Sequence, residues 1–179
     1  VIQKYKKQGI AMKDLPQYVA FQLNDTHPAV AIPELMRILL DKERLSWEDA
    51  WNITTEICAY TNHTVMAEAL ETWPIDLFRQ LLPRIYQIIE EINRRFCLEL
   101  KQRGYTEEHI SRMAIISDHH IRMAHLSIVG SHAINGVAKL HTEILKEQLL
   151  KDFYQITPEK FHNKTNGITQ RRWLAMANM

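Results

Sequence analysis

The sequence predicts a helix-rich α/β fold, and three features carry that expectation. Residues 18–23, Tyr-Val-Ala-Phe-Gln-Leu, are short, rich in aromatic and β-branched side chains and bounded by polar residues, as a buried strand is. Residues 82–103 set Ile85, Ile88, Ile89, Ile92, Phe96 and Leu100 at helical spacing, which makes a long amphipathic helix. Apolar runs of helical period elsewhere are cut by polar breaks at residues 24–27, 61–64 and 164–169. The chain has 179 residues, enough for one domain with a real core. It is 46% hydrophobic and 24% charged, the ordinary composition of a soluble globular protein. A net charge of +1 gives no general pull toward nucleic acid or a membrane surface. Cys58 and Cys97 have no CxxC spacing and are expected to be reduced, buried thiols of a cytosolic protein. No apolar run approaches the length needed to span a bilayer.

Taken in order, residues 1–7 are basic and helix-like, and Gly9 ends them. This start has no initiator Met and no apolar core before a cleavage site, so it reads as the end of a helix cut from something longer rather than as a signal peptide. Residues 10–17 are expected as a polar connection closed by Pro16. The strand at 18–23 follows. Pro28 suits the first turn of the next helix, with Asp25 and Thr26 placed to cap it. That helix puts Ile32, Leu35, Leu39 and Leu40 on one face and tolerates Pro33 only in its first turns. Ser46 is the expected N-cap of a helix with Glu48 and Asp49 in its first turn, an apolar face of Ala50, Ile53, Ile57 and Cys58, and an end near Tyr60. A short helix is expected from Ala67 to Glu71, closed by Trp73-Pro74. Gly104 is placed to cap the long helix, and Thr106 to start a shorter one. Residues 119–150 read as two helical runs broken at Gly130-Ser131-His132 and at Asn135-Gly136. Residues 152–160 read as a connection, and Arg171-Arg172-Trp173-Leu174 opens a last helix capped by Thr169. The chain stops at Met179, a few residues into that helix, so both ends are expected to be truncations.

The polar breaks are the candidate chemistry. Each supplies an Asn and two supply a His, and both residue types offer a donor and an acceptor, which is what reading sugar hydroxyls requires. Asn24, Asp25 and His27 fall at the carboxyl end of a strand, the edge where ligands bind in open α/β sheets. Taken one at a time, each break also reads as plain punctuation: a capped turn at 24–27, a helix C-cap followed by an N-cap at 62–64, a simple turn at Asn166-Gly167. His119, His120 and His125 match no metal spacing, so no metal is expected. His132 and His141 fall on a predicted helical segment and read as satisfied or solvated polar residues. Arg171-Arg172 could hold phosphate, although a salt-bridged pair is commoner. Glu68 and Glu71 form an i, i+3 pair that could serve as general acid and base, although surface carboxylates are commoner. There is no Gly-rich phosphate loop, no GxSxG and no usable Cys/His dyad.

Four longer motifs go further. They are Phe21-Gln-Leu-Asn-Asp-Thr-His-Pro28 with Ile32-Pro-Glu-Leu-Met-Arg37; Tyr60-Thr-Asn-His-Thr64 with Glu68-Ala-Leu-Glu71 and Trp73-Pro74; Met123-Ala-His-Leu126 with Gly130-Ser-His-Ala-Ile-Asn-Gly-Val137; and Asn163-Lys-Thr-Asn-Gly-Ile-Thr169 with Arg171-Arg-Trp173. Together and in this order they resemble the α-glucan phosphorylases, the glycogen, starch and maltodextrin enzymes. The likeness runs from about Val19 to Trp173. Two departures, Gln170 and Ala67 where many members have Pro, affect helix starts only.

The resemblance implies a two-domain glycosyltransferase B fold, of which residues 1–179 would be a single partial domain: the later part of the Rossmann-like N-terminal domain, up to the domain crossover. It implies a cytoplasmic, allosteric, homodimeric enzyme that breaks α-1,4-glucan with inorganic phosphate and releases glucose 1-phosphate with retained configuration. Its pyridoxal 5'-phosphate would sit on a lysine outside this chain, so the slice alone would be inactive. By similarity, His63 is the catalytic contact: its side chain would bond the 6-hydroxyl of the transferred glucosyl unit and its carbonyl would face the developing oxocarbenium charge. Asn166 would bond the same hydroxyl and Val137 would pack on the sugar. Asp25 and His27 would line the acceptor side, with Glu71 nearby. An isolated slice would also expose apolar surface and self-associate. The rival expectations are a non-catalytic helical interaction module and a glycosyltransferase that uses a nucleotide sugar.

Overall fold

The computed structural model describes residues 1–169 and Met176. The predicted last helix and the Arg171-Arg172 pair lie outside them. Helix α1 (Ile2–Lys7) ends at Gly9, whose φ of +76° closes the turn. Residues expected as a polar connection form a 3-10 helix, Met12–Gln17, because Leu15 buries its side chain there. Strand β1 (Phe21–Asn24) is shorter than predicted, and Tyr18 before it is exposed.

Helix α2 (Ala31–Arg37) starts three residues later than Pro28 suggested and has no side-chain cap. The expected caps are occupied elsewhere. Asp25 takes a left-handed φ of +61° and its Oδ1 accepts the Thr26 N–H at 2.7 Å. The Thr26 hydroxyl donates to Glu71 Oε2 at 2.7 Å. A π-helical turn, Ile38–Lys42, extends α2, and Ile32, Leu35 and Leu39 are buried as the spacing requires.

Helix α3 (Trp47–Ile57) is capped as expected, with Ser46 Oγ accepting the Asp49 N–H at 3.1 Å. It ends three residues before Tyr60. Cys58 leaves the helical face and opens strand β2 (Cys58–Thr61). A buried parallel strand shows no alternation, so a short apolar run after a helix hides it. The helix expected at 67–71 is only a 3-10 turn, Ala67–Ala69, followed by strand β3 (Thr72–Pro74), so Glu68 and Glu71 share no helix face.

Helix α4 (Ile75–Leu81) was not anticipated; α5 (Pro83–Gln102) is the long amphipathic helix, with Gly104 at φ +85° after it. Thr106 caps α6 (Glu107–Met113), accepting the His109 N–H at 3.3 Å. The segment predicted as two helical runs contains more. A small antiparallel sheet joins β3 to strands β4 (Ile116–Ser117) and β5 (His120–Arg122). Helix α7 (Met123–Val129), strand β6 (Ala133–Gly136) and helix α8 (Lys139–Ile144) follow, so His132 lies outside any helix while His141 lies in α8. Residues expected as a connection hold helix α9 (Lys151–Ile156), and strand β7 (Phe161–Asn163) comes after it.

The strands β1, β2, β6 and β7 pair in that order, all parallel, and helices cover them, a helix-rich α/β architecture. Ile32, Met36, Leu39, Ile57, Tyr60, Ile88, Ile89 and Ile134 are among the core side chains that bury fully. Cys58 is buried but Cys97 only partly, because α5 turns it toward the surface, and both are free thiols. Burial pushes the Cys58 thiol up to about 12. Among the described residues no helix is long and apolar enough to cross a membrane.

Candidate functional site

Parallel pairing sends every chain exit of the main sheet to one edge. The loops after β1, β2, β6 and β7 therefore gather there, although 24–27 and 164–169 are far apart in sequence. The register places Asn24 beside Thr61, Thr61 beside Asn135, and Asn135 beside His162. A row of polar side chains crosses the strands at this level. Gln22 Nε2 donates to Thr61 Oγ1 at 2.8 Å, and Thr61 Oγ1 donates to Asn135 Oδ1 at 2.8 Å.

The loop that carries His63 is held from below by Asn62, which is fully buried. Asn62 Nδ2 donates to the Tyr60 hydroxyl at 3.0 Å, and its Oδ1 accepts the Thr64 N–H at 3.0 Å. Burial lifts the Tyr60 phenol above its ordinary range, so it stays neutral as an acceptor. Asn62 thus shapes the turn, and His63 projects exposed from it. His63 Nε2 meets Asn24 Oδ1 at 2.6 Å. The amide oxygen only accepts, so Nε2 carries the proton and Nδ1 keeps a free lone pair for a hydroxyl donor.

His141 fixes the next loop. Its Nδ1 accepts the Val137 N–H at 3.0 Å, which leaves Nε2–H to donate to the Thr64 carbonyl at 3.2 Å. Val137 is half-buried, and its carbonyl accepts the Asn166 N–H at 2.9 Å. Asn166 itself is exposed at the same edge. Gly136 lets α8 approach: a Cβ there would stand 2.5 Å from Thr142 Oγ1 and 2.9 Å from Thr142 Cα.

On the other flank, the Asp25 N–H donates to the Thr61 carbonyl at 2.9 Å. Glu71 is clamped: the Thr26 hydroxyl holds Oε2 and the Trp73 indole N–H holds Oε1 at 2.9 Å. A carboxylate with both oxygens engaged is a fixed acceptor. His27 is exposed and its side chain makes no hydrogen bond among the described residues.

His63, Asn166, Val137, Asp25 and Glu71 are therefore linked through short hydrogen bonds along one edge, and His27 stands at its rim. Asn24 belongs to the polar break that the sequence marks as candidate chemistry, whereas Asn135 and His141 are members that sequence reasoning did not single out as site residues. Asn135 would be legible as a polar residue near the end of a strand once β6 is recognised. His141 gave no signal beyond its place four residues after Val137. No group of three or more His, Cys, Asp or Glu side chains that could hold a metal occurs among the described residues.

The family model described as carbohydrate phosphorylase matches residues 1–179. Glycogen phosphorylase of Bacillus subtilis (strain 168) is 52% identical over 179 residues, covering 99% of this chain and 22% of that protein. The muscle form of glycogen phosphorylase from Ovis aries is 58% identical over 167 residues, covering 91% of this chain and 20% of that protein. The muscle form from Homo sapiens is 50% identical over 190 aligned positions, covering 99% and 23%. The chain thus spans about a fifth of the length of the curated relatives it matches. With the match running from the first residue to the last, the chain belongs to the carbohydrate phosphorylase family.

Proposed function

We propose that this chain forms the sugar-reading edge of an α-1,4-glucan phosphorylase, as the later part of that enzyme's N-terminal domain. The reaction breaks a glycosidic bond, joins the anomeric carbon to an oxygen of inorganic phosphate and frees glucose 1-phosphate, with a proton returned to the departing glucan oxygen. One observation carries the reading: Asn24 holds His63 Nε2–H at 2.6 Å, which leaves Nδ1 of an exposed imidazole as an acceptor, on the same sheet edge that carries exposed Asn166. An acceptor from His63 and a donor and acceptor from Asn166 suit one sugar hydroxyl, the 6-hydroxyl of the transferred unit. Val137 offers apolar contact to the ring. Asp25, His27 and Glu71 would meet the acceptor side of the glucan.

The pyridoxal 5'-phosphate of such an enzyme would supply a phosphate group that relays a proton. Residues of this chain do not fit as its anchor. The lysines nearest the exits of the four parallel strands, Lys139 at the start of α8 and Lys164 after β7, are both exposed, so no buried amine at this edge among the described residues is placed to form an imine. No step of this proposal runs through that group. A cytoplasmic homodimer is part of the same reading and rests on the family alone.

The test is phosphorolysis of a maltooligosaccharide by the full-length protein that contains this segment, followed as glucose 1-phosphate. His63→Ala and Asn166→Ala should each lower kcat/KM roughly a hundredfold, the size expected for a hydrogen bond strengthened in the transition state. Unchanged turnover in both would sink the reading and favour an interaction module.

A further inference from the structure

The opposite, amino edge of the sheet carries a feature the sugar-reading edge does not use. A groove of about 690 Å³ runs between α3, α5 and α9, with Trp51, Phe96 and Phe153 in its walls. Two polar groups line it where the chain enters β6 and β7. Ser131 is fully buried and its Oγ has no hydrogen-bond partner among the described residues. Lys160 is partly buried, forms no ion pair among the described residues, and reaches only the Ile128 carbonyl, at 3.5 Å. The Ser131 N–H points to that same carbonyl at 3.4 Å, so the hydroxyl residue and the ammonium sit together at the end of α7. Burial pulls the Lys160 ammonium below the usual lysine range, with the charges of Glu159 and Glu99 opposing. Nearby carboxylates are largely engaged: Glu99 pairs with Arg103, and Glu48 with Arg95 at 2.9 Å.

An unpartnered buried hydroxyl and an ammonium that forms no ion pair among the described residues, with Glu159 and Glu99 acting on it only from a distance, each carry a desolvation cost that one ligand can relieve. Aromatic walls add a preference for a flat apolar body. We propose that this groove binds a small planar organic carboxylate, its carboxyl group between Lys160 Nζ and Ser131 Oγ and its ring against Trp51 and Phe96. The site is separate from the edge that reads sugar, and its test does not depend on phosphorolysis.

The probe is 2-naphthoate, titrated calorimetrically into the full chain, with neutral 2-naphthamide as the isosteric control. Saturable binding at one site per chain is expected, weakened roughly tenfold or more by the neutral control and by Lys160→Met, since a charge-assisted hydrogen bond is lost in each. Ser131→Ala, which removes a single oxygen, should weaken it also and keeps the test valid if Lys160→Met does not fold. No binding, equal binding of the neutral control, or unchanged binding in a folded Ser131→Ala protein would overturn the proposal.

Discussion

At the residue scale, the carboxyl edge is built less from charge than from single proton positions. Asn24 sets the tautomer of His63, and the Val137 N–H sets that of His141. Neither constraint shows in the residue types: the first needs a partner brought from another strand, and the second needs the turn from β6 into α8 that sets His141 over the Val137 N–H. His63, Asn166 and Val137 are singled out in the sequence as individual site residues only because the motifs around them resemble a known family, and the structure sets all three at the carboxyl edge. Gly136 illustrates the opposite case. Asn135-Gly136 reads as a break, whereas Gly136 ends a strand and is required by the approach of α8. Gly136→Ala should cost about 2 kcal/mol of stability, the size of an overpacked contact with backbone, read as a lower urea midpoint. A midpoint within error of the parent would mean that α8 moves aside freely. His125, dismissed as a metal ligand, has a different use. Its Nδ1 donates to the carbonyls of Met113 at 3.2 Å and Ala114 at 3.0 Å, and its ring meets Phe153 edge-on at 4.9 Å. Burial pushes its pKa down to about 4 from 6.5, with the Arg122 charge adding to the shift. The unfolded chain then binds the extra proton between those values, so stability is complete above pH 6.5 and falls as the pH drops toward 4. The loss should reach up to about 3 kcal/mol. Thermal melts across this range should show the slope, and His125→Gln, which keeps a neutral donor, should flatten it.

At the element scale, caps were the most transferable signal. Ser46, Thr106 and Gly104 each end or start a helix where local chemistry says they should, because a cap satisfies backbone groups within a few residues. Ser46→Ala should destabilise by about 1 kcal/mol with an unchanged denaturant slope. No shift in midpoint would show that the cap bond is replaced by water. The misplaced start of α2 marks the limit of such reasoning. Asp25 and Thr26 have the right side chains for capping, but a left-handed backbone at Asp25 and the distant Glu71 claim them. Strands β2, β6 and β7 escaped for a related reason. Each is three or four residues long, too short for an alternation to show in the sequence, and β7, with only Phe161 buried, carries a single apolar residue.

At the scale of the whole molecule, the exposed positions are as informative as the core. Leu81 is 65% exposed and Leu140 74%, and β1 and β7 are edge strands of the sheet. Open strand edges with apolar neighbours are templates for pairing. This chain alone should self-associate, seen as concentration-dependent sedimentation; a monodisperse monomer would refute that. Local spacing and contiguous motifs were enough for the helix-rich α/β class, the long amphipathic α5, the caps at Ser46, Gly104 and Thr106, and the family. Only the tertiary structure decided that three separated polar breaks share one sheet edge, that Asn24 orients His63, and that Glu71 is clamped rather than paired with Glu68. Those facts depend on parallel strand order and register, which bring residues far apart in the chain within hydrogen-bonding reach, and no local pattern records that distance.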